Sequence, residues 1–141
     1  MKSLNNLSKY KDQGLLIIRI GLGLLFIFHG YPKLAGGPAG WERLGKAMGF
    51  VGIHFLPMLW GFLAAITETI GGVLIIAGLA FRPVCALLVI NLIVAAIFTY
   101  KVDGSFGDAT HALEDAVMFS GLLFVGPGAL SIDQKFNEKA I

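Results

Sequence analysis

The feature that most constrains this chain is the stretch 14–33, GLLIIRIGLGLLFIFHGYPK, which is apolar enough to cross a bilayer although it contains Arg19. A hydrocarbon layer of about 30 Å requires about 20 apolar residues in an α-helix. Each Leu, Ile or Phe favours insertion by roughly 0.3–0.6 kcal/mol, whereas one arginine at mid-membrane costs about 2.5–3.5 kcal/mol. The sequence therefore predicts that the segment inserts together with its charge. That charge must then face protein or water rather than lipid.

The composition is that of a membrane protein. Of the 141 residues, 56% are hydrophobic and only 14% are charged, a balance unlike that of soluble domains. The length accommodates a single domain, 1–141. A net charge of +2, with no basic cluster interleaved with aromatic residues, argues against a nucleic-acid partner. Because Cys85 is the single cysteine, an internal disulfide and a two-thiol relay are both excluded.

Apolar segments separated by turns or polar loops predict four transmembrane helices. These spans are about 14–31, 56–80, 83–100 and 111–125. Pro32 is expected to stop the first helix or to force an extended step. The predicted fold is an all-α membrane protein, an antiparallel four-helix transmembrane bundle with a short interfacial helix between the first and second spans.

That short helix is predicted from Trp41, Leu44 and Met48, which fall on one helical face. It either lies in the headgroup layer with Trp41 as an anchor, or packs over the bundle as an ordinary loop helix. An even number of spans places both termini on one side. That side carries the larger number of Lys and Arg residues, which favours cytoplasmic termini in a bacterial plasma (inner) membrane.

Polar side chains occur on all four predicted spans, and their depths follow from a helical rise of about 1.5 Å per residue. Measured from the cytoplasmic face, Arg19 lies about 7 Å deep, Asn91 about 12 Å and Glu68 about 15–18 Å. We group these three as an inner cluster in which the long arginine side chain and the intervening asparagine bridge the gap in depth to the carboxylate. The cluster either fixes helix register as a structural charge pair or binds a ligand or protons.

A second, outer cluster is predicted near the opposite surface. Its members are His29, Lys33, His111, Glu114 and Asp115. His111 and Glu114 stand at i and i+3, so they are weak candidates for a metal site, and no metal is assigned with confidence. Capping of the fourth helix by Glu114 and Asp115 is the simpler explanation. His29 suits a proton carrier or a hydrogen-bond donor to a ligand carbonyl better than a metal ligand.

Three sequence pieces resemble the DoxX family of small four-helix membrane proteins. They are RIGLGLLFIFHGYPKL at 19–34, ETIGGVLIIAGL at 68–79 and GPGALSID at 126–133. The resemblance implies a membrane subunit of an oxidoreductase, since the family takes its name from a thiosulfate:quinone oxidoreductase. It also implies that Arg19, His29, Lys33, Glu68 and Glu114 are the family's polar interior residues, without a catalytic role for any of them.

Three functional hypotheses follow. The first is a subunit of a redox complex that binds a quinone-like lipid, with His29 or Lys33 donating to a ring carbonyl and Glu68 tuning protonation. The second is a non-catalytic scaffold or assembly partner for a soluble protein. The third, a solute carrier, ranks last because the chain is small and has no internal repeat. Candidate partners are the lipid bilayer, a partner redox subunit and a second copy of the chain.

Overall fold

Six α-helices account for most of residues 4–139, the part of the chain that the computed structural model describes. They are α1 (Lys11–Ala35), α2 (Gly37–Gly45), α3 (Pro57–Ala77), α4 (Phe81–Asp103), α5 (Phe106–Val125) and α6 (Ile132–Lys139). Short 3-10 helices, Leu4–Tyr10 and Lys46–Val51, precede α1 and follow α2. No β-strand occurs in this described range.

Three of the described segments are long and apolar enough to cross a membrane. They are Leu7–Ala35, Pro57–Ala77 and Phe81–Val102, which correspond to the first three predicted spans. The helix α5 does not qualify, because any 18-residue window within it includes three acidic residues, Asp108, Glu114 and Asp115. The fourth span therefore stays a prediction.

Two predicted helix boundaries are wrong. The helix α1 continues through Pro32 to Ala35, because a proline in the last turn removes only one helical hydrogen bond. The helix α5 begins at Phe106 rather than at residue 111, because the Ser105 side chain accepts a hydrogen bond from the Asp108 backbone N–H at 3.3 Å. Glu114 consequently lies inside the helix, and the predicted capping role of Glu114 and Asp115 is wrong.

The long helices pack in two pairs, α1 against α3 and α4 against α5. A buried apolar core joins the two pairs, in which the Phe26 ring meets the Phe119 ring edge-on at 4.9 Å between centroids. Cys85 is fully buried in the same core. The outer surface is also strongly apolar: Phe28, Val117 and Phe124 are 76%, 73% and 81% exposed, as expected for side chains that face lipid.

The short helix α2 packs directly on the first half of α3. A Cβ added to Gly45 would overlap the carbonyl oxygen of Pro57, and one added to Gly61 would overlap that of Trp41. The Trp41 ring lies 4.8 Å from the Phe62 ring. Of the two alternatives for this helix, the structure thus shows the packing on the bundle, and it depends on glycine at both contact positions.

Candidate functional site

Arg19 is almost completely buried, at 1% exposed, and all its hydrogen bonds go to backbone carbonyls. Its Nε and Nη2 donate to Ile75 and Ile76 at the end of α3, at 3.0 and 2.5 Å. Its Nη1 donates to Pro127 and Leu130, both at 2.9 Å, in the segment after α5. The guanidinium therefore ties the end of α3 to the segment 126–131. We call Arg19 together with its four carbonyl partners the carbonyl clamp.

Two aspartates complete the same end of the molecule. Asp133 accepts hydrogen bonds from the backbone N–H groups of Ala80 and Phe81 at the start of α4, both at 2.9 Å. Asp12, in the first turn of α1, accepts one from Ala129 at 2.9 Å. The start of α1, the end of α3, the start of α4 and the segment after α5 consequently meet at this end. Sequence reasoning missed both aspartates, although Asp133 lies in the piece GPGALSID that carries part of the family resemblance.

Glu68 is 6% exposed and forms the second buried charge centre. Lys33 Nζ donates to both of its carboxylate oxygens, at 2.8 and 2.6 Å. The Asn91 amide nitrogen donates to Glu68 Oε1 at 2.9 Å. Lys33, Glu68 and Asn91, here called the polar triad, come from α1, α3 and α4. The Asn91–Glu68 contact joins two members of the predicted inner cluster, whereas the predicted reach of Arg19 toward Glu68 is wrong.

The reason for the different pairing is the helix register. A Cβ on Gly30 would lie 2.8 Å from Cβ of Glu68 and 2.7 Å from the Thr69 backbone nitrogen. Gly30 is thus level with Glu68, and Lys33 is one turn further along α1. Depths counted from the sequence placed Lys33 near the outer surface, because they assumed that every helix starts at the membrane boundary. Contact between small residues sets the true offset between helices.

A cavity of about 480 Å³ opens between α3 and α4, with the polar triad on its wall. On α3 its lining residues recur at i, i+3, i+4, i+7 and i+8 from Trp60 to Glu68. The helix α4 faces them with a similar stripe, and the end of α2 and the following 3-10 helix add further walls. The lining is mostly apolar, with Thr67 and Thr99 as additional polar residues. An apolar cavity with a few convergent polar groups is typical of a small-molecule site.

The indole N–H of Trp60 adds a donor that lacks a partner. Among the described side chains its Nε1 is the buried polar atom for which no hydrogen bond is formed, and Trp60 lines the large cavity. Trp60 precedes Glu68 by eight residues, or about 12 Å along the helix. Buried donors without a partner are rare in proteins, so this atom points to a ligand acceptor at the far end of the cavity.

A second cavity of about 240 Å³ lies on the other side of the ion pair. Lys33, Glu68 and Ala95 line both cavities. His29 from α1 and Asp115 from α5 line the second one. Of the predicted outer cluster, Lys33 therefore forms the ion pair with Glu68, and His29 and Asp115 line the cavity beside it.

His111 and Glu114 lie apart from both cavities. Their side chains are 83% and 72% exposed, and His111 Nδ1 is 4.0 Å from Glu114 Oε2. In the described part of the chain, no group of three or more His, Cys, Asp or Glu side chains is arranged to hold a metal ion. Two exposed side chains at this distance make no metal centre on their own.

Comparison with known proteins supplies the family. The DoxX family model matches residues 14–101, a region that includes the whole polar triad. The chain belongs to the DoxX family. No solved structure matches it at a significant level.

Curated relatives extend this likeness over nearly the whole chain. An uncharacterized protein of Haemophilus influenzae is 30% identical over 96% of this chain and 100% of its own length. The inner membrane protein YphA of Escherichia coli is 29% identical over 92% of this chain and 99% of its own. The putative oxidoreductase CatD of Bacillus subtilis is 34% identical over 71% of this chain and 69% of its own.

Proposed function

We propose that this DoxX protein is an integral protein of the bacterial inner membrane in which four antiparallel helices, α1, α3, α4 and α5, cross the bilayer. The hydrogen bonds around the carbonyl clamp support this topology, because they join alternate ends of the four long helices. The acidic residues of α5 fit a span if Asp115 faces the second cavity and Glu114 lies near the headgroups. The names of YphA and YqjF, both inner membrane proteins of Escherichia coli, support the location.

Within that bundle, the large cavity binds the headgroup of a quinone-like lipid. The single observation that carries this proposal is the polar triad on the wall of an otherwise apolar, 480 Å³ cavity. Lysine carries three N–H donors and the asparagine amide two, so donors remain after the bonds to Glu68 are made. These remaining N–H groups suit a ring carbonyl, and the apolar stripes on α3 and α4 suit the ring.

The proposed association with an oxidoreductase is supported by the family and by one relative. CatD is named a putative oxidoreductase, and a quinone-binding membrane subunit would give such a complex its link to the lipid phase. We infer that this chain serves as a membrane subunit associated with an oxidoreductase. The scaffold alternative predicts a partner protein but an empty cavity.

Binding of a defined quinone tests the proposal directly. The purified protein in lipid nanodiscs is titrated with decylubiquinone, and quenching of tryptophan fluorescence is followed because Trp60 borders the cavity. Ala64→Phe fills the cavity and is expected to weaken binding at least tenfold. Val73→Phe adds the same ring on the same helix at an exposed position outside both cavities, and is expected to leave the affinity unchanged.

Removal of the donors provides the second arm. Lys33→Met and Asn91→Leu are each expected to lower the affinity at least fivefold, because a ring carbonyl then loses an N–H donor. Saturable binding that Ala64→Phe and Val73→Phe affect equally would contradict the assigned site. Protein that binds no quinone but copurifies with a stoichiometric partner would favour the scaffold.

A further inference from the structure

The buried ion pair separates two cavities and borders both of them. Lys33 and Glu68 line the large cavity between α3 and α4 and also the smaller one next to α1, α4 and α5. We propose that the smaller cavity is a water-filled proton entry to the Glu68–Lys33 pair, in which His29 and Asp115 pass protons. This deepens the proposed function, because it gives the ligand cavity a separate connection to aqueous protons.

The volume and the lining of the smaller cavity suit water. Its volume of about 240 Å³ exceeds the roughly 30 Å³ that one water occupies in the liquid several times over. Four titratable side chains reach it: Lys33 and His29 from α1, Glu68 from α3, and Asp115 from α5. Its α4 wall is apolar, formed by Leu92 and Ala95. Water inside a protein needs such polar partners, and here they lie on several sides of one space.

The ring of His29 is oriented to accept a proton. Its Nδ1 lies 2.9 Å from the carbonyl oxygen of Leu25. A carbonyl oxygen only accepts hydrogen bonds, so Nδ1 carries the hydrogen in the neutral ring. The lone pair of the neutral imidazole therefore lies on Nε2, which serves as the base. A ring with one nitrogen donating and the other free to take a proton suits proton transfer between water and the ion pair.

The ion pair responds to a proton in a defined way. Both oxygens of Glu68 accept hydrogen bonds from Lys33. Protonation of Glu68 removes the charge that holds Lys33 and frees its N–H groups toward the large cavity. A ligand carbonyl in that cavity then gains a donor, so ligand affinity should rise as the pH falls.

Cysteine accessibility tests whether water reaches the smaller cavity, independently of any ligand. In a Cys85→Ala background, single cysteines replace Ala112, which lines this cavity, and Ala116, which is buried one turn away and lines neither cavity. The full chain in liposomes is treated with the permanently charged reagent 2-(trimethylammonium)ethyl methanethiosulfonate, and modification is followed by mass spectrometry. Ala112→Cys is expected to react at least tenfold faster than Ala116→Cys. Equal rates would overturn the proposal.

The pH dependence of decylubiquinone binding tests the coupling. Affinity is expected to rise at least fivefold as the pH is lowered, and Glu68→Gln should abolish this dependence. Asp115→Asn removes a proton-carrying side chain from the smaller cavity and is expected to slow at least fivefold the fluorescence change that follows a pH jump with bound decylubiquinone. Asp108→Asn is the matched control, since Asp108 is an exposed carboxylate on the same helix that lines neither cavity, and it should leave this rate unchanged.

A wild-type affinity that does not change with pH, or a response to the pH jump that Asp115→Asn and Asp108→Asn slow equally, would overturn the role of Asp115 and the ion pair. Failure of decylubiquinone to bind at all would remove the proposed function, while the cysteine rates would still decide whether the smaller cavity conducts water.

Discussion

Arg19 and Glu68 are both buried charges on membrane-type helices, yet their surroundings differ. Arg19 is surrounded by backbone carbonyls that accept its hydrogen bonds, and it lines neither cavity. Glu68 is held by two side chains and has a cavity on each side. Backbone partners move only together with the chain segments that carry them, whereas side-chain partners rotate at small cost. Burial of a charge therefore does not by itself indicate a functional site. The kind of partner that holds the charge and the presence of an adjoining cavity indicate it better.

The largest expected effect is on the carbonyl clamp. Arg19→Met removes the donor that four backbone carbonyls share. The Ile75 carbonyl still accepts from the Gly78 N–H, and each buried carbonyl left without a donor costs about 1–3 kcal/mol. We expect the variant to lose most of its folded population, with thermal stability in detergent measured by size-exclusion chromatography after heating. Ile20→Met, at the exposed neighbouring position, is the control. An Arg19→Met protein as stable as the control would contradict the structural role of the carbonyl clamp.

The next largest loss of stability is expected at α2, the short helix whose end borders the large cavity. Gly45→Ala pushes α2 away from α3, because the added methyl group meets the Pro57 carbonyl, and overpacking of this kind costs about 1–3 kcal/mol. Gly40→Ala in the same helix meets nothing within 4 Å and should be neutral or stabilise by up to about 1 kcal/mol. The same thermal assay distinguishes them, and equal stability of the two variants would contradict close α2–α3 packing.

A smaller effect is expected at the start of α4. Asp133→Ala removes the carboxylate that accepts hydrogen bonds from Ala80 and Phe81, and loss of a helix cap typically costs about 1 kcal/mol. The melting temperature should fall by less than in Arg19→Met. Asp108→Ala serves as control, because its side chain is exposed and its cap contact uses only the backbone N–H. A fall as large as that of Arg19→Met would mean that the clamp depends on Asp133.

The smallest effect on stability is expected at the ion pair. Glu68→Gln keeps the shape and an oxygen that still accepts from Asn91 and Lys33, and the Lys33 side chain is 38% exposed, so its charge is partly hydrated. We expect a loss of about 1 kcal/mol or less in the thermal assay. If Glu68→Gln lost as much stability as Arg19→Met, Glu68 would be a structural residue like Arg19.

Much of the architecture follows from the sequence, but two local features do not. The first three long helices were predicted from apolar length. The passage of α1 through Pro32 was missed because the sequence alone does not show that the helix has only one turn left. The early start of α5 was missed because Ser105 caps a helix that begins in a polar stretch. In both cases a local hydrogen-bond pattern overrode the average tendency of a residue type.

The candidate site was predicted in its members but not in its pairing. Lys33, Glu68, Asn91 and His29 stood out because ionisable and amide groups are rare in apolar helices. Which of them form pairs depends on the offset between α1 and α3, which is fixed by the contact of Gly30 with Glu68. Trp60 did not stand out in the sequence, because a hydrogen-bond donor without a partner can be recognised only when its neighbours are known.

By itself, the sequence determined that the chain has membrane-type helices and that a few charges remain within them, because transfer of side chains from water to lipid depends mainly on residue type. Only the tertiary structure decided that carbonyl groups hold Arg19 and that Lys33 holds Glu68 between two cavities. The physical reason is that the sliding of one helix along another is set by close contacts such as that of Gly30, and a shift of one turn changes which polar groups can reach each other.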